Sequence, residues 1–201
     1  MSRTEPGAPQ PPETSAAAAK ADGRRTDTRR RIHDVALEVF AEVGYERATL
    51  LQIAERLGVT RPALYYHYRN KEDILAAIHA ELTLSVDAVI DWSRSQPAGR
   101  ATRHETLRRL SELLRGPWGT FSRFAQASEA AMRDLSAAEE HSRRMDAIGD
   151  ILAPTTDSAG RLRGRLALSG LVMAATHGDR LGGAVEQCTD AALGVAFSLT
   201  R

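Results

Sequence analysis

Residues 49–71, TLLQIAERLGVTRPALYYHYRNK, decide the fold of this chain. Thr49 opens the stretch as an N-cap, and Gln52 stands three residues on, where the reciprocal partner of a capping box belongs. Ile53, Ala54 and Leu57 share an inward face, with the small Ala54 where two helices must cross closely. Gly58 supplies the positive φ that a sharp turn requires, and Val59 is expected to plug the corner. Thr60 is expected to cap the next helix, and Pro62 is tolerated in its first turn. Leu64 and Tyr68 point inward, which leaves Arg61, Tyr65, Tyr66 and His67 on an exposed flank. The pattern predicts a helix-turn-helix, the unit whose second helix enters the major groove of double-stranded DNA.

Upstream, Ile32, Val35, Ala36, Val39, Phe40 and Val43 follow helical spacing along one face. Asp27 or Thr28 can cap that helix, Gly44 can end it, and Tyr45 is expected to pack back on the core. Before it, residues 1–25 read as a disordered, Pro-rich and basic tail, with four of the eight prolines in the first twelve positions. Lys20, Arg24 and Arg25 would serve either as a DNA-contacting arm or as a solubilising tail.

Downstream, Asn70 with Asp73 caps a long helix expected to run to about Ser95. Thr102 with Glu105 predicts a further capping box, and Gly116-Pro117 stops the helix it opens. Helices are also expected at about 119–134 and 137–152, the second capped by Ser136 with Glu139. The last two, at about 158–176 and 184–199, are apolar on more than one face. Val185, Cys188, Ala192, Val195 and Leu199 repeat in alternating steps of three and four, a seam for another helix. Leu166 and the small Gly170, Ala174, Ala191 and Gly194 add to that surface. A second subunit or the chain's own helices would cover it.

Composition agrees with an all-α protein. Ala, Leu, Arg and Glu abound, and no run of alternating β-branched residues appears. The net charge of +1 hides an asymmetry, because residues 20–71 carry 11 Lys/Arg against 7 Asp/Glu while residues 72–201 carry 15 against 17. The positive excess therefore accompanies the helix-turn-helix, where phosphates would need it. A single cysteine excludes an internal disulfide. No signal-peptide pattern is present, and the longest late uncharged run, Leu166 to Gly178, has 13 residues, too few to span a bilayer. A cytoplasmic protein with no membrane partner is expected.

The stretch from Thr28 to about Leu82 resembles the DNA-binding domain of the tetracycline-repressor (TetR) family of bacterial regulators. The residues that carry the likeness are IHDVALEVFAEVGYERAT, IAERLGV and TRPALYYHYRNKEDIL at their observed spacing. The resemblance implies an all-α homodimer of nine to ten helices per chain. Its three N-terminal helices bind DNA, here residues 26–72. Its remaining helices, here residues 73–201, form a ligand pocket and a dimer interface. It further implies a repressor that binds a palindromic operator and is released by a small molecule.

Site residues follow from these readings. Arg61, Pro62 and Ala63 are expected against base edges, Arg61 alternatively as a solvated or phosphate-bound cation, with Tyr65 meeting a base or the backbone. Tyr66 and His67 match family positions that touch phosphate, and Thr49, Thr60 and Lys71 offer further phosphate contacts. Trp92, Trp118, Phe121, Phe124, Met132, Met145, Met173 and His177 are candidates to line a pocket for a small apolar or amphiphilic effector, or else fill the core. No cofactor or metal is predicted, because no second ligand stands at metal spacing from His67. An enzyme is the rival class, but no G-x-G-x-x-G, G-x-S-x-G, P-loop or H-E-x-x-H is found. Cys188 lies on an apolar seam without a basic neighbour, which suits packing better than nucleophilic attack. A ligand-independent regulator under a protein partner's control, or a transcriptional activator, also remains open.

Overall fold

The computed structural model describes residues 14–127, 138–155 and 157–200, with side chains described for 26–126, 139–155 and 157–200. Among these, nine α-helices follow one another: α1 (Thr14–Val43), α2 (Leu50–Leu57), α3 (Arg61–His67), α4 (Lys71–Ser95), α5 (Arg100–Arg115), α6 (Pro117–Ala127), α7 (Ala138–Leu152), α8 (Ser158–Thr176) and α9 (Val185–Leu199). A 3-10 turn, Gly178–Leu181, joins α8 to α9.

Helix α1 departs from the sequence expectation at its start. It begins at Thr14, not at an Asp27 or Thr28 cap. Ala16–Ala19 and Lys20 are good helix formers, so residues 14–25 continue the helix where a tail was expected. Residues 1–13 lie outside the described residues, as does the Ser136 cap.

Two apolar clusters organise the chain. The first belongs to the head, where Phe40, Ile53, Leu64, Ile74 and Ile78 from α1–α4 are almost wholly buried. Phe121 and Phe124 of α6 enter the same cluster, with the Phe124 ring 5.6 Å from Phe40 and 5.9 Å from Tyr45. The second cluster forms the body, from the C-terminal half of α4 with α5, α7, α8 and α9. Trp118 touches both clusters, and its Nε1–H donates to the Leu82 carbonyl of α4 at 3.1 Å.

Close approach in the body depends on glycine. A Cβ on Gly164 would lie 2.9 Å from Ala153 Cβ and 3.0 Å from the Gly149 carbonyl, so only a bare backbone lets α7 and α8 cross there. Arg144 of α7 then grips Asp87 of α4 in a two-pronged pair at 2.7 and 2.9 Å. This half-buried pair holds the guanidinium's charge more firmly than usual, chiefly by hydrogen bonding to Asp87.

Two capping expectations fail. Helix α5 starts at Arg100 behind Gly99 with no side-chain cap, and Thr102 Oγ1 donates instead to the Pro97 carbonyl at 2.6 Å. Because α5 begins at Arg100, three residues earlier than a Thr102 cap would place it, Thr102 sits inside its first turn and cannot be its N-cap. At α3, Thr60 occupies the N-cap position but makes no side-chain capping bond.

Candidate nucleic-acid interface and effector cavity

The head is built from local signals that the sequence carries. Thr49 and Gln52 close a complete capping box: Gln52 N–H donates to Thr49 Oγ1 at 3.3 Å, and Thr49 N–H donates to Gln52 Oε1 at 2.9 Å. Gly58 ends α2 in the left-handed conformation with φ of 69°. Val59, expected in the corner, is instead 41% exposed. It stands at the edge of a small hollow that it shares with Ile32, Leu57 and Leu64.

Helix α3 is seven residues long and buries one of them, Leu64. Arg61, Pro62, Ala63, Tyr65 and Tyr66 are therefore left on the surface, with Tyr66 77% exposed. Arg61 Nη2 donates to the Tyr65 hydroxyl at 3.1 Å, and its guanidinium lies 5.1 Å from the Tyr65 ring centre. The Tyr66 and His67 rings meet edge-on at 5.4 Å. Tyr68 caps the helix and is buried.

Thr49, Arg61, Tyr65 and Lys71 come together on one concave face. The structure adds Leu51 and Arg69 to that face. On the other side of α3, Thr28 and Arg31 of α1 flank Ala63 and His67. The α1 residues lie outside the helix-turn-helix stretch, where the basic run Arg29–Arg31 was the available signal, whereas Arg69 lies within that stretch and was passed over. The Arg25 side chain lies outside the described residues.

Two predicted phosphate ligands have structural duties. Lys71 Nζ donates to the carbonyls of Tyr45 at 2.7 Å and Glu46 at 3.0 Å and sits 4.5 Å from the Tyr45 ring centre. Two of its three hydrogens thus hold the α1–α2 loop to the start of α4. The Thr49 hydroxyl donates to Gln52 Oε1 at 3.0 Å, which leaves the backbone N–H groups of the first turn of α2 as the better anion donors.

The body holds a partly open cavity of about 440 Å³. Its apolar wall includes Val86 of α4, Leu110 and Leu114 of α5, Ile148 of α7 and Leu168 of α8, and polar groups enter from Ser122, Gln126, His141, Arg165 and Thr176. Trp118, Met145, Met173 and His177 line it. Phe121 and Phe124 do not, because α6 turns them into the head core. Trp92 is also elsewhere, with the Arg109 guanidinium 3.8 Å above its ring centre. Met132 lies outside the described residues. Desolvation is the main cause that pushes His141 below the ordinary imidazole value, with the Arg144 charge adding to it.

The outer face of α8 and α9 exposes apolar side chains. Leu162, Leu166 and Met173 are about half exposed or more, and Val195 is 59% exposed. A Cβ on Gly170 or Gly194 would meet nothing within 4 Å. The predicted seam divides, however. Ala192 and Leu199 pack on the body core, Val185 and Cys188 are half-buried, and Cys188 Sγ lies 3.5 Å from the Gly178 carbonyl. Helix α9 lies along α8, so part of the seam is used within the chain.

Among the described residues no helix is long and apolar enough to cross a membrane, and no group of three or more His, Cys, Asp or Glu could hold a metal ion.

A three-helix head with an exposed recognition helix, set on an all-helical body, defines the helix-turn-helix class. Residues 32–78 match the family model for bacterial regulatory proteins of the tetR family. SrpR of Pseudomonas putida, an HTH-type transcriptional regulator, is 48% identical over 63 residues, which are 31% of this chain and 30% of SrpR. BetI of Escherichia coli O127:H6, another HTH-type regulator, is 33% identical over 112 residues, 55% of this chain and 53% of BetI. The chain thus spans about half or less of these relatives' lengths. A TetR-family regulator from Marinobacter aquaeolei VT8 superposes with a TM-score of 0.64 at 22% identity, covering 86% of this chain and 89% of that one. The fatty acid degradation regulator FadR from Bacillus halodurans gives 0.63 at 15% identity, covering 84% and 94%. At such identities the structural likeness shows the fold. Residues 32–78 thus carry the DNA-binding head of tetR-family bacterial regulators, and the described chain shares the fold of such regulators.

Proposed function

We propose that this protein is a cytoplasmic repressor that binds a near-palindromic DNA operator as a homodimer and leaves it when a small apolar or amphiphilic molecule enters the body. One observation carries the DNA-binding part. Helix α3 spends its single buried residue, Leu64, on the head core and turns Arg61, Pro62, Ala63, Tyr65 and Tyr66 outward. Arg61 can pair with guanine O6 and N7, and Pro62 and Ala63 can meet a thymine methyl. Tyr66, His67, Arg31, Arg69 and the first turn of α2 supply phosphate contacts, which fix register without reading sequence.

The exposed apolar side chains of α8 and α9 support pairing with a second copy. A patch of this kind on a helix pair is a natural site for burial against its symmetry mate. The cavity supports ligand release, since about 440 Å³ of mostly apolar lining suits a small organic molecule. Its one α4 residue, Val86, lies on the helix that starts beside the DNA-facing surface at Lys71. A ligand that prefers the arrangement with mismatched recognition helices would shift the population off the operator.

Selection of bound fragments from random DNA tests the reading. A recovered palindromic site, bound with an affinity that falls steeply with salt, is the expected result. A monomer that shows no preference among duplexes refutes it. Calorimetric titration of a panel of apolar and amphiphilic molecules tests the release step, and equal ligand affinity with and without operator refutes it.

A further inference from the structure

His33 is a histidine of α1 that is 7% exposed, and it contacts two other elements through both ring nitrogens. Nε2 is 2.6 Å from the hydroxyl of Tyr68, the residue that caps α3. Nδ1 is 2.9 Å from Glu81 Oε2 in α4. An ionised carboxylate only accepts, so Nδ1 carries the proton and donates to Glu81. Nε2 is then an acceptor, and Tyr68 O–H donates to it. The neutral imidazole has its donor and its acceptor both engaged.

The recognition helix is short enough that its seating on the head must be imposed by anchors. Leu64 is one, and dispersion contacts of that kind resist separation more than sliding. Tyr68 is the other, and a 2.6 Å hydrogen bond at its tip fixes direction as well as distance. The ties from Lys71 at the start of α4 reach the α1–α2 loop. The link through His33 runs from three turns into α4 to the end of the recognition helix. Glu81 also neighbours Leu82, whose carbonyl receives the indole N–H of the cavity residue Trp118.

We propose that His33 is a positioning residue for operator recognition, fastening the C-terminal cap of the recognition helix to α4 so that a shift of α4 is delivered to the base-reading side chains. The inference rests on the DNA-binding reading above. The charged and titratable groups around the imidazole are Glu81 of α4, Tyr68 of the α3 cap, and Asp34 and Arg29 of α1. Burial holds the ring neutral below its ordinary value, against the opposing pull of Glu81.

The test measures operator and random-duplex affinity for the full chain and for Tyr68→Phe, His33→Leu, His33→Gln and the double variant His33→Leu/Tyr68→Phe. Tyr68→Phe keeps the buried ring and loses only the hydroxyl, so it is the mild variant. It is expected to lower the operator-to-random affinity ratio by roughly three- to tenfold, the scale of one buried hydrogen bond. The double variant is expected to be no worse than His33→Leu alone, because the two groups act as one contact. His33→Gln keeps one donor and one acceptor and should recover part of the ratio. Additive losses, or an unchanged ratio in Tyr68→Phe, would each overturn the assignment while leaving DNA binding intact. A wild-type chain with no operator preference would instead remove the reading on which it stands.

Discussion

Replacing Arg61 with alanine separates base reading from phosphate binding at this head. In the free protein Arg61 is exposed and rests on Tyr65 through one hydrogen bond of 3.1 Å and a cation–π contact at 5.1 Å. An exposed contact of that kind is worth about 0.5–1 kcal/mol. A bidentate pair with guanine is worth roughly 1–3 kcal/mol of discrimination, so the arginine leaves Tyr65 when the right base is offered. Fold stability should therefore hardly change in Arg61→Ala, while each half-site loses roughly 5- to 150-fold in preference for its guanine. Fluorescence anisotropy on the selected operator and on single-base variants of it would measure this. The preference should vanish at one position per half-site and persist at the others. Arg61→Lys keeps the charge and loses the fork, so it should retain the salt slope and lose the same discrimination. Equal weakening on every duplex, with a shallower salt slope, would show that Arg61 binds phosphate and refute the base-contact argument.

Four further outcomes are expected. Gly164→Ala places a methyl 2.9 Å from Ala153 Cβ and should cost about 1–3 kcal/mol in urea unfolding, the scale of overpacking at a tight crossing. Lys71→Met should lower the melting temperature by releasing the Tyr45 and Glu46 carbonyls; an unchanged melting temperature alongside weakened binding on all duplexes would return Lys71 to a purely phosphate role. Leu166→Glu with Val195→Arg should yield monomers in sedimentation and abolish operator binding, and a persistent dimer would place the interface elsewhere. His33, His79, His104 and His141 all titrate below 6.5, with desolvation the largest cause in each. The unfolded chain then binds more protons than the folded one as pH falls through 6.5, so stability is full above that value and declines below it. The urea midpoint should be lower at pH 5.5 than at pH 7.5, and a higher midpoint at pH 5.5 would contradict the sign.

The sequence by itself determined the head. Its capping box, its left-handed Gly58 and its helical stripes are contacts between residues a few positions apart, and short-range geometry is what periodicity reports. The same holds for the limits of α4, where Asn70 caps the start and Pro97 follows the end. Only the tertiary structure decided which buried side chains belong to which core. Phe121, Phe124 and Trp118 lie on one helix with similar chemistry, yet the first two enter the head core while Trp118 lines the cavity. Lys71 on the α1–α2 loop, Arg31 beside Ala63, and His33 between Tyr68 and Glu81 likewise join residues 25 to 48 positions apart. Such pairings depend on how helices cross, and crossing is set by volume and shape summed over many residues, which no local spacing encodes.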